Sequence, residues 1–294
     1  MESVTTPMES VSQSPELGTV SIEPQIVTCE RLVIGLNIDV LRQFCNELAV
    51  LSDEAKITIS VTDGLRSRIV DPAHIAMVDT GIALEVLERF DFFQASSQMA
   101  DDGQVAEFGL DVVKMGSYLK SLKVKDAILT LSVDLNTRKM TIDGPTGQRV
   151  MSLLDTTGMS DPKIPTLNLP TEVRIPDQKG FKQLLRQAAE ISDHIVIRYD
   201  SAKAAMYLEC EGDTDKMKSQ VDIEIIRADS SAMPSPDGPF QTRDTKSLFP
   251  LEYLTEFVKV IPGAFKLTIG NDYPLKIEYG KTVYLLAPRI ESGE

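Results

Sequence analysis

Residues Asp111–Gly144 read DVVKMGSYLKSLKVKDAILTLSVDLNTRKMTIDG. Apolar residues recur here at the i, i+3, i+7 and i+10 spacing of one helix face: Val112, Met115, Leu119 and Leu122. Asp111 is suited to cap this helix, and the opposite face carries Lys114 and Lys120. Alternating apolar residues after Ile128 predict a strand, and a turn at 136–138 returns the chain as a second strand. The stretch is therefore predicted to be an amphipathic helix followed by a β-hairpin.

The same unit recurs three more times along the chain. Helices with one apolar face are predicted at Asn37–Leu51, Asp177–Ile191 and Pro250–Ile261, and each is followed within a few residues by two strands and a turn. The alternative is a generic α+β protein whose elements happen to alternate. Because the order never varies, the pattern favours internal duplication.

The composition limits the classes of protein. The 294 residues carry 44 acidic and 30 basic side chains, a net charge of −14, which argues against nucleic-acid coating by the whole outer surface but leaves a local basic face open. No apolar run is long enough to span a bilayer and no signal peptide is recognisable, so we expect a soluble, non-secreted protein without membrane partners. Three cysteines, Cys29, Cys45 and Cys210, are interpreted as reduced structural thiols.

The sequence offers little material for catalysis. His74 and His194 are the only histidines, and the chain has no GxSxG, HExxH or glycine-rich phosphate loop. We therefore predict no enzymatic activity, no catalytic residue, no metal site and no cofactor. A hydrolase with an acidic cleft is the alternative from another class of protein.

Proline and composition divide the chain into four parts. Residues 1–24 are predicted to be a disordered extension, 25–152 a first domain, 153–172 an interdomain connector and 173–294 a second domain with a C-terminal tail. Three prolines forbid a helix in the connector, although it contains the apolar residues Met159 and Ile164. We expect the connector and the tail to expose apolar side chains for partners.

Basic residues recur on the polar face of every predicted helix. The candidates for binding a polyanion are Arg42, Lys114, Lys120, Arg186 and Lys259. A single lysine of this kind is ordinarily only solvated, but the recurrence of basic residues on every helix favours the hypothesis of polyanion binding. Acidic neighbours weaken it on the first and fourth helices. Contacts of this type would be sequence-independent and salt-sensitive, because they go to phosphates.

Three segments carry a resemblance to a known family. VDPAHIAMVD (Val70–Asp79), MGSYLKSLKVKDAILTL (Met115–Leu131) and PLKIEY…YLLAPRIE (Pro274–Glu291), together with the connector, resemble proliferating cell nuclear antigen, the DNA sliding clamp of archaea and eukaryotes. The terminal motif looks more archaeal than eukaryotic. The resemblance covers about residues 25–291.

The resemblance implies an α+β DNA clamp fold of two similar domains, each with two helices packed on antiparallel sheets. It implies a homotrimeric ring with the helices around the hole, closed by pairing an edge near Lys139–Gly144 with one near Ala205–Glu211. It also implies a groove for short peptides, mapped onto His74, Ile75, Met159, Ile164, Pro274, Leu286, Ala287, Pro288 and Ile290.

The expected function is that of a DNA polymerase processivity factor that encircles duplex DNA. Its partners would be the clamp loader, DNA polymerase, flap endonuclease and DNA ligase, in replication and repair. It would act in the archaeal cytoplasmic nucleoid, or in the nucleus of a eukaryote. A subunit of a heterotrimeric or checkpoint-type clamp is the alternative within binding proteins.

Overall fold

The computed structural model describes residues 29–94, 103–167, 169–226 and 244–289. The predicted disordered extension and Ile290 lie outside these ranges. The α-helices of the described chain are α1 (Ile38–Leu48), α2 (Val112–Ser121), α3 (Gln178–Ala189) and α4 (Leu251–Val260). All four were predicted, and each is one to three residues shorter at its C-terminal end than the sequence indicated. No described helix has the length and apolar character needed to cross a membrane.

The strands of the described residues are numbered in chain order through both halves. They are β1 (Cys29–Asn37), β2 (Glu54–Ser60), β3 (Gly64–Val70), β4 (Ala76–Ile82), β5 (Arg89–Gln94), β6 (Gln104–Asp111), β7 (Ile128–Asp134), β8 (Lys139–Gly144), β9 (Gly147–Ser152), β10 (Thr171–Ile175), β11 (His194–Asp200), β12 (Ala205–Glu211), β13 (Lys216–Val221), β14 (Glu224–Ile225), β15 (Thr245–Pro250), β16 (Phe265–Ile269), β17 (Leu275–Tyr279) and β18 (Thr282–Leu286).

The predicted four-fold repeat is confirmed and is larger than expected. Each unit consists of a strand, a helix and a three-stranded antiparallel meander, because each predicted hairpin gains a third strand. Unit 1 is β1, α1 and β2–β4; unit 2 is β6, α2 and β7–β9; unit 3 is β10, α3 and β11–β13; unit 4 is β15, α4 and β16–β18.

The units interlock in pairs through their first strands. Strand β1 pairs with β7 and β6 pairs with β2, so units 1 and 2 exchange strands; β10 with β16 and β15 with β11 repeat this in units 3 and 4. The two pairs are joined where β4 pairs with β18, the third strands of units 1 and 4. One nine-stranded sheet therefore runs through both halves of the chain.

Local sequence explains where three of the helices begin. Side-chain oxygens of Asn37, Asp111 and Asp177 accept hydrogen bonds from the first-turn amides of α1, α2 and α3, which confirms the cap predicted at Asp111. The apolar faces of all four helices are buried against the sheets, as their spacing predicted.

The helices lie side by side in the order α2–α1–α4–α3, since α1 contacts both α2 and α4, and α3 contacts α4. A hydrogen bond from Gln43 Nε2 on α1 to the carbonyl of Val260 (2.8 Å) joins the central pair. Helices α2 and α3 therefore lie at the two ends of the row.

The predicted subunit edges were wrong by one strand on each side. Lys139–Gly144 (β8) is covered by β9, and Ala205–Glu211 (β12) is covered by β13, so both predicted strands are interior. At this end of each sheet the edge strand is β9 or β13 instead, and the opposite edges are β5 and β15. The error arose because units 2 and 3 were interpreted as hairpins, and their third strands, β9 and β13, were not recognised.

Among its described residues, the predicted connector between β9 and β10 contains neither a helix nor a regular strand. The segment begins docked on β6, where Leu154 and Gly109 form an isolated bridge. Farther along, Thr156 donates to Glu107 (3.1 Å), and Asp161 lies 3.6 Å from the Arg68 guanidinium. The connector therefore starts across the outer face of the nine-stranded sheet, opposite the helices.

Candidate nucleic-acid and partner-binding surfaces

Arg42 is engaged inside the protein. Its guanidinium pairs with Asp39 and donates to the carbonyls of Leu119 (3.1 Å) and Val124 (3.3 Å) at the end of α2. The side chain is only 20% exposed. Because the Leu119 carbonyl is one of the unsatisfied acceptors at the C-terminus of α2 and Val124 lies just after that helix, Arg42 stabilises the packing of α2 on α1. These three internal contacts therefore compete with the predicted contact between Arg42 and a polyanion.

The cations of α2 and α3 are free of ion pairs within the described residues. Lys114 and Lys120 on α2, and Lys179 and Arg186 on α3, are exposed, and Lys182 on α3 is half-buried. Neither helix contains an acidic residue. The two ends of the helix row are therefore positively charged and available to an anion.

Lys259 on α4 has a different environment. Its ammonium contacts both carboxylate oxygens of Glu256 (2.9 and 3.2 Å), and Glu252 lies in the first turn of the same helix. The surface of α4 is consequently less attractive to a polyanion than its single lysine suggested.

A buried carboxylate lies where the two halves of the chain meet. Glu47 on α1 is 5% exposed, and its oxygens accept hydrogen bonds from Thr80 Oγ1 (2.5 Å) and the Tyr279 hydroxyl (2.6 Å). Thr282 Oγ1 (3.0 Å) and Gln43 Nε2 (2.9 Å) contact it as well. Burial and, next, the Glu47 carboxylate raise the pKa of Tyr279 well above its usual range. This network fixes unit 1 against unit 4.

A cleft of about 550 Å³ opens beside the C-terminal tail. Its apolar lining includes Ile75, Pro250, Ala287 and Pro288, and its polar lining includes His194 and Tyr253. The tail is fixed at both ends of this cleft, because the amide of Ala287 donates to Ile75 O (2.8 Å) and the amide of Arg289 donates to Leu248 O (2.8 Å). An apolar surface between rigid backbone segments is suited to an extended peptide.

Asp71 builds the wall of this cleft, a role the sequence did not reveal. Its carboxylate is almost completely buried and accepts the amides of Ala73 (3.1 Å), Ile75 (2.7 Å) and Ala76 (2.6 Å). It also accepts the Tyr253 hydroxyl (3.0 Å) from α4. An Asp before a tight turn, here Asp71 followed by Pro72, was the sequence signal for this role.

The structure brings together only part of the predicted groove. Ile75, Ala287 and Pro288 share the cleft, whereas His74, Met159, Ile164 and Pro274 are not among its lining residues. Leu286 is fully buried in the core, so its assignment to the groove was wrong. Side chains alternate along a strand, and Leu286 points to the helix side of β18.

Leu285, the neighbour of Leu286, pairs across strands with Met77. Both side chains are buried (6% exposed), but they lie outside the main core cluster to which Ala76, Val78, Tyr284 and Leu286 belong. Both side chains therefore lie on the outer face of the sheet, the face that the connector crosses. Strict alternation along β4 and β18 was the signal that could have identified this pair.

Taken together, these features define a duplicated α+β subunit with a continuous row of helices, the edge strands β9 and β13, and a cleft between the C-terminal tail and the start of α4. Comparison with known proteins assigns the family. The chain is 32% identical over 267 residues to the DNA polymerase sliding clamp of Methanocella arvoryzae, an alignment that covers 88% of this chain and 98% of the relative. The clamp of Methanococcoides burtonii is also 32% identical, with 86% and 96% covered.

Solved structures show the same fold. PCNA of A. fulgidus, solved bound to the C-terminal region of FEN-1, has a TM-score of 0.71 and 24% identity, with 89% of this chain and all of that chain covered. PCNA of Entamoeba histolytica has a TM-score of 0.72 and 17% identity, with 90% and 100% covered. No protein-family model matches. The chain belongs to the DNA polymerase sliding clamp family.

Proposed function

We propose that three copies of this chain close into a ring that encircles duplex DNA and binds replication and repair enzymes through the tail cleft. The observation that carries the proposal is the pairing of β4 with β18. These are the third strands of units 1 and 4, and β9 and β13 are the third strands of units 2 and 3. The internal repeat therefore supports the same antiparallel pairing between β9 of one copy and β13 of the next.

Both open edges belong to one chain, so identical copies are sufficient to form the ring. A head-to-tail contact of this kind closes when the rotation between copies fits, and closure removes two unprotected strand edges. The resemblance to sliding clamps implies that the ring contains three copies. Val150 on β9 is 56% exposed, and a partner strand would cover it.

The first experiment measures the native mass of the wild type and of Val150→Asp. We expect a trimer for the wild type and a monomer for the variant, because the new carboxylate would be buried at the strand contact. Ile128→Asp is the matched control, since Ile128 is 46% exposed but lies on the interior strand β7. A wild type that stays monomeric at micromolar concentration contradicts the ring, and a mass that requires a second kind of chain favours the heterotrimeric alternative.

Encirclement explains how an acidic protein can hold DNA. A closed ring does not need tight contacts, and the exposed lysines of α2 supply loose, sequence-independent ones. We expect the ring, placed on a nicked circular plasmid by its clamp loader, to remain bound in high salt. Linearising the plasmid should release it, and retention on linear DNA under the same conditions argues against encirclement. A protein with this function acts at the chromosome, in an archaeal nucleoid or a eukaryotic nucleus.

The cleft is proposed to bind short peptides of DNA polymerase, flap endonuclease and DNA ligase. Support comes from the fixed apolar tail and from the relative solved with the C-terminal region of FEN-1. Pro288→Glu should abolish binding of a peptide that carries a glutamine, an aliphatic residue and two aromatic residues, with no change of native mass. Ile225→Ala is the control, because Ile225 is exposed on β14 and does not line the cleft. Unchanged affinity of Pro288→Glu would place the peptide elsewhere, for example toward Ile290, which lies outside the described residues.

A further inference from the structure

We infer that DNA is held at three composite sites, each formed by α2 of one subunit and α3 of the next, and that the α1–α4 surface inside each subunit contributes little. The inference rests on the proposed ring. It starts from the order of the helix row, α2–α1–α4–α3, in which helices of the two halves meet where α1 contacts α4.

The strand pairing determines which helices meet between subunits. Within the chain, β4 and β18 join units 1 and 4 and bring α1 against α4. When β9 and β13 join units 2 and 3 in the same way, α2 and α3 become neighbours across the boundary. The ring then alternates between two kinds of helix pair, one within each subunit and one between subunits.

The charges of the two helix pairs are opposite in sign. Helices α2 and α3 contain five cations and no acid: Lys114, Lys120, Lys179, Lys182 and Arg186. Helices α1 and α4 contain two cations and four acids: Arg42, Lys259, Asp39, Glu47, Glu252 and Glu256. The difference increases when contacts are considered, because both cations of α1 and α4 have carboxylate partners whereas those of α2 and α3 have none in the described chain.

The consequence is that one subunit carries only half of each site. Phosphates attracted to a boundary would be neutralised by side chains from two chains at once. Opening one boundary of the ring separates one composite site into halves and leaves the other two intact.

Lys120 and Lys259 offer a matched comparison. Each is the ninth residue of a ten-residue helix, at equivalent positions of units 2 and 4. Binding of a fluorescent 30-base-pair duplex is measured as a function of NaCl concentration. Lys120→Ala removes three cations from the ring and should lower affinity about tenfold near 100 mM salt, with a salt slope reduced by up to about 3. Lys259→Ala should change neither.

Mixed rings test whether the sites are composite. One variant carries Lys114→Ala and Lys120→Ala, and the other carries Lys179→Ala and Arg186→Ala. Every ring of three such subunits lacks six cations. Each mixed ring contains one boundary with all its cations, one half-site and one boundary that lacks all four substituted cations, whereas each unmixed ring contains three half-sites. Mixed rings should therefore bind the duplex more tightly than either unmixed ring.

The outcomes separate this inference from the proposed function. If the wild type forms no ring, or the ring does not bind duplex DNA, both fail. If the ring binds DNA but Lys120→Ala and Lys259→Ala weaken it equally, or mixed and unmixed rings bind alike, the ring remains and the composite sites are refuted.

Discussion

Replacing Glu47 by alanine tests how the two halves of the subunit are joined. The carboxylate of Glu47 on α1 lies within hydrogen-bonding distance of Thr80 (2.5 Å), Tyr279 (2.6 Å), Gln43 (2.9 Å) and Thr282 (3.0 Å). Two of these partners belong to unit 1 and two to unit 4. A ring that is opened and closed at its subunit boundaries requires the boundary inside each subunit to remain rigid, and this network is placed there.

The structure permits an estimate of the cost. After truncation of Glu47, Thr80 and Thr282 can still bond each other at 2.8 Å, and Gln43 keeps the carbonyl of Val260 at 2.8 Å. One buried threonine hydroxyl and the hydroxyl of the half-buried Tyr279 are left as donors without an acceptor. At about 1–3 kcal/mol for each unsatisfied group, the free energy of unfolding should fall by about 2–6 kcal/mol.

Urea unfolding followed by circular dichroism measures this loss. The chain has seven tyrosines and no tryptophan, so tyrosine fluorescence provides a second probe. Glu256→Ala is the control for removing a helix carboxylate, because the Glu256–Lys259 pair is exposed and should contribute less than about 1 kcal/mol.

A double-mutant cycle with Tyr279→Phe isolates the contact between the halves. Groups in one buried network typically couple by about 0.5–3 kcal/mol. If Glu47→Ala costs no more than Glu256→Ala, or if its coupling to Tyr279→Phe is indistinguishable from zero, the network does not join units 1 and 4.

Three further predictions concern the cleft, the pH response and the connector. Asp71→Ala should lower both stability, by about 2–5 kcal/mol, and peptide affinity, while Tyr253→Phe, which removes one hydrogen bond, should cost only about 1 kcal/mol in urea unfolding. Burial and a neighbouring carboxylate raise the pKa of Tyr279, so the contribution of Tyr279 to stability is complete below about pH 10 and is lost as pH rises further. The urea midpoint of the wild type should therefore fall between pH 8 and 11, and Tyr279→Phe should flatten that fall. Gly109→Ala would place a methyl group 2.8 Å from the connector backbone and should cost about 1–3 kcal/mol by thermal unfolding, whereas Gly263→Ala, with no atom within 4 Å, should not; equal effects would contradict the docking of the connector on β6.

Local features of the fold were predictable because they depend on residues close together in the chain. The apolar spacing of the four helices, the cap at Asp111, and the repetition of one unit four times are all properties of short segments. The exposed cations of α2 were predictable for the same reason, since Lys114 and Lys120 have no acidic residue within reach on their helix.

The site was less predictable because its members are distant in sequence. Arg42 looked equivalent to Lys120 until its partners, 77 and 82 residues away, were known. Glu47 looked like one more surface acid, yet its partners Tyr279 and Thr282 lie more than 230 residues farther along. Such contacts are determined by packing, which no periodicity encodes.

The sequence by itself determined the repeating helix-and-strand units, the acidic balance and the resemblance to sliding clamps. Only the tertiary structure decided that β9 and β13, and not β8 and β12, are edge strands, that Leu286 lies in the main core cluster, and that positive charge gathers at the two ends of the helix row. The physical reason is that pairing partners and burial arise when segments far apart in the chain meet, whereas helix and strand patterns arise from neighbouring residues.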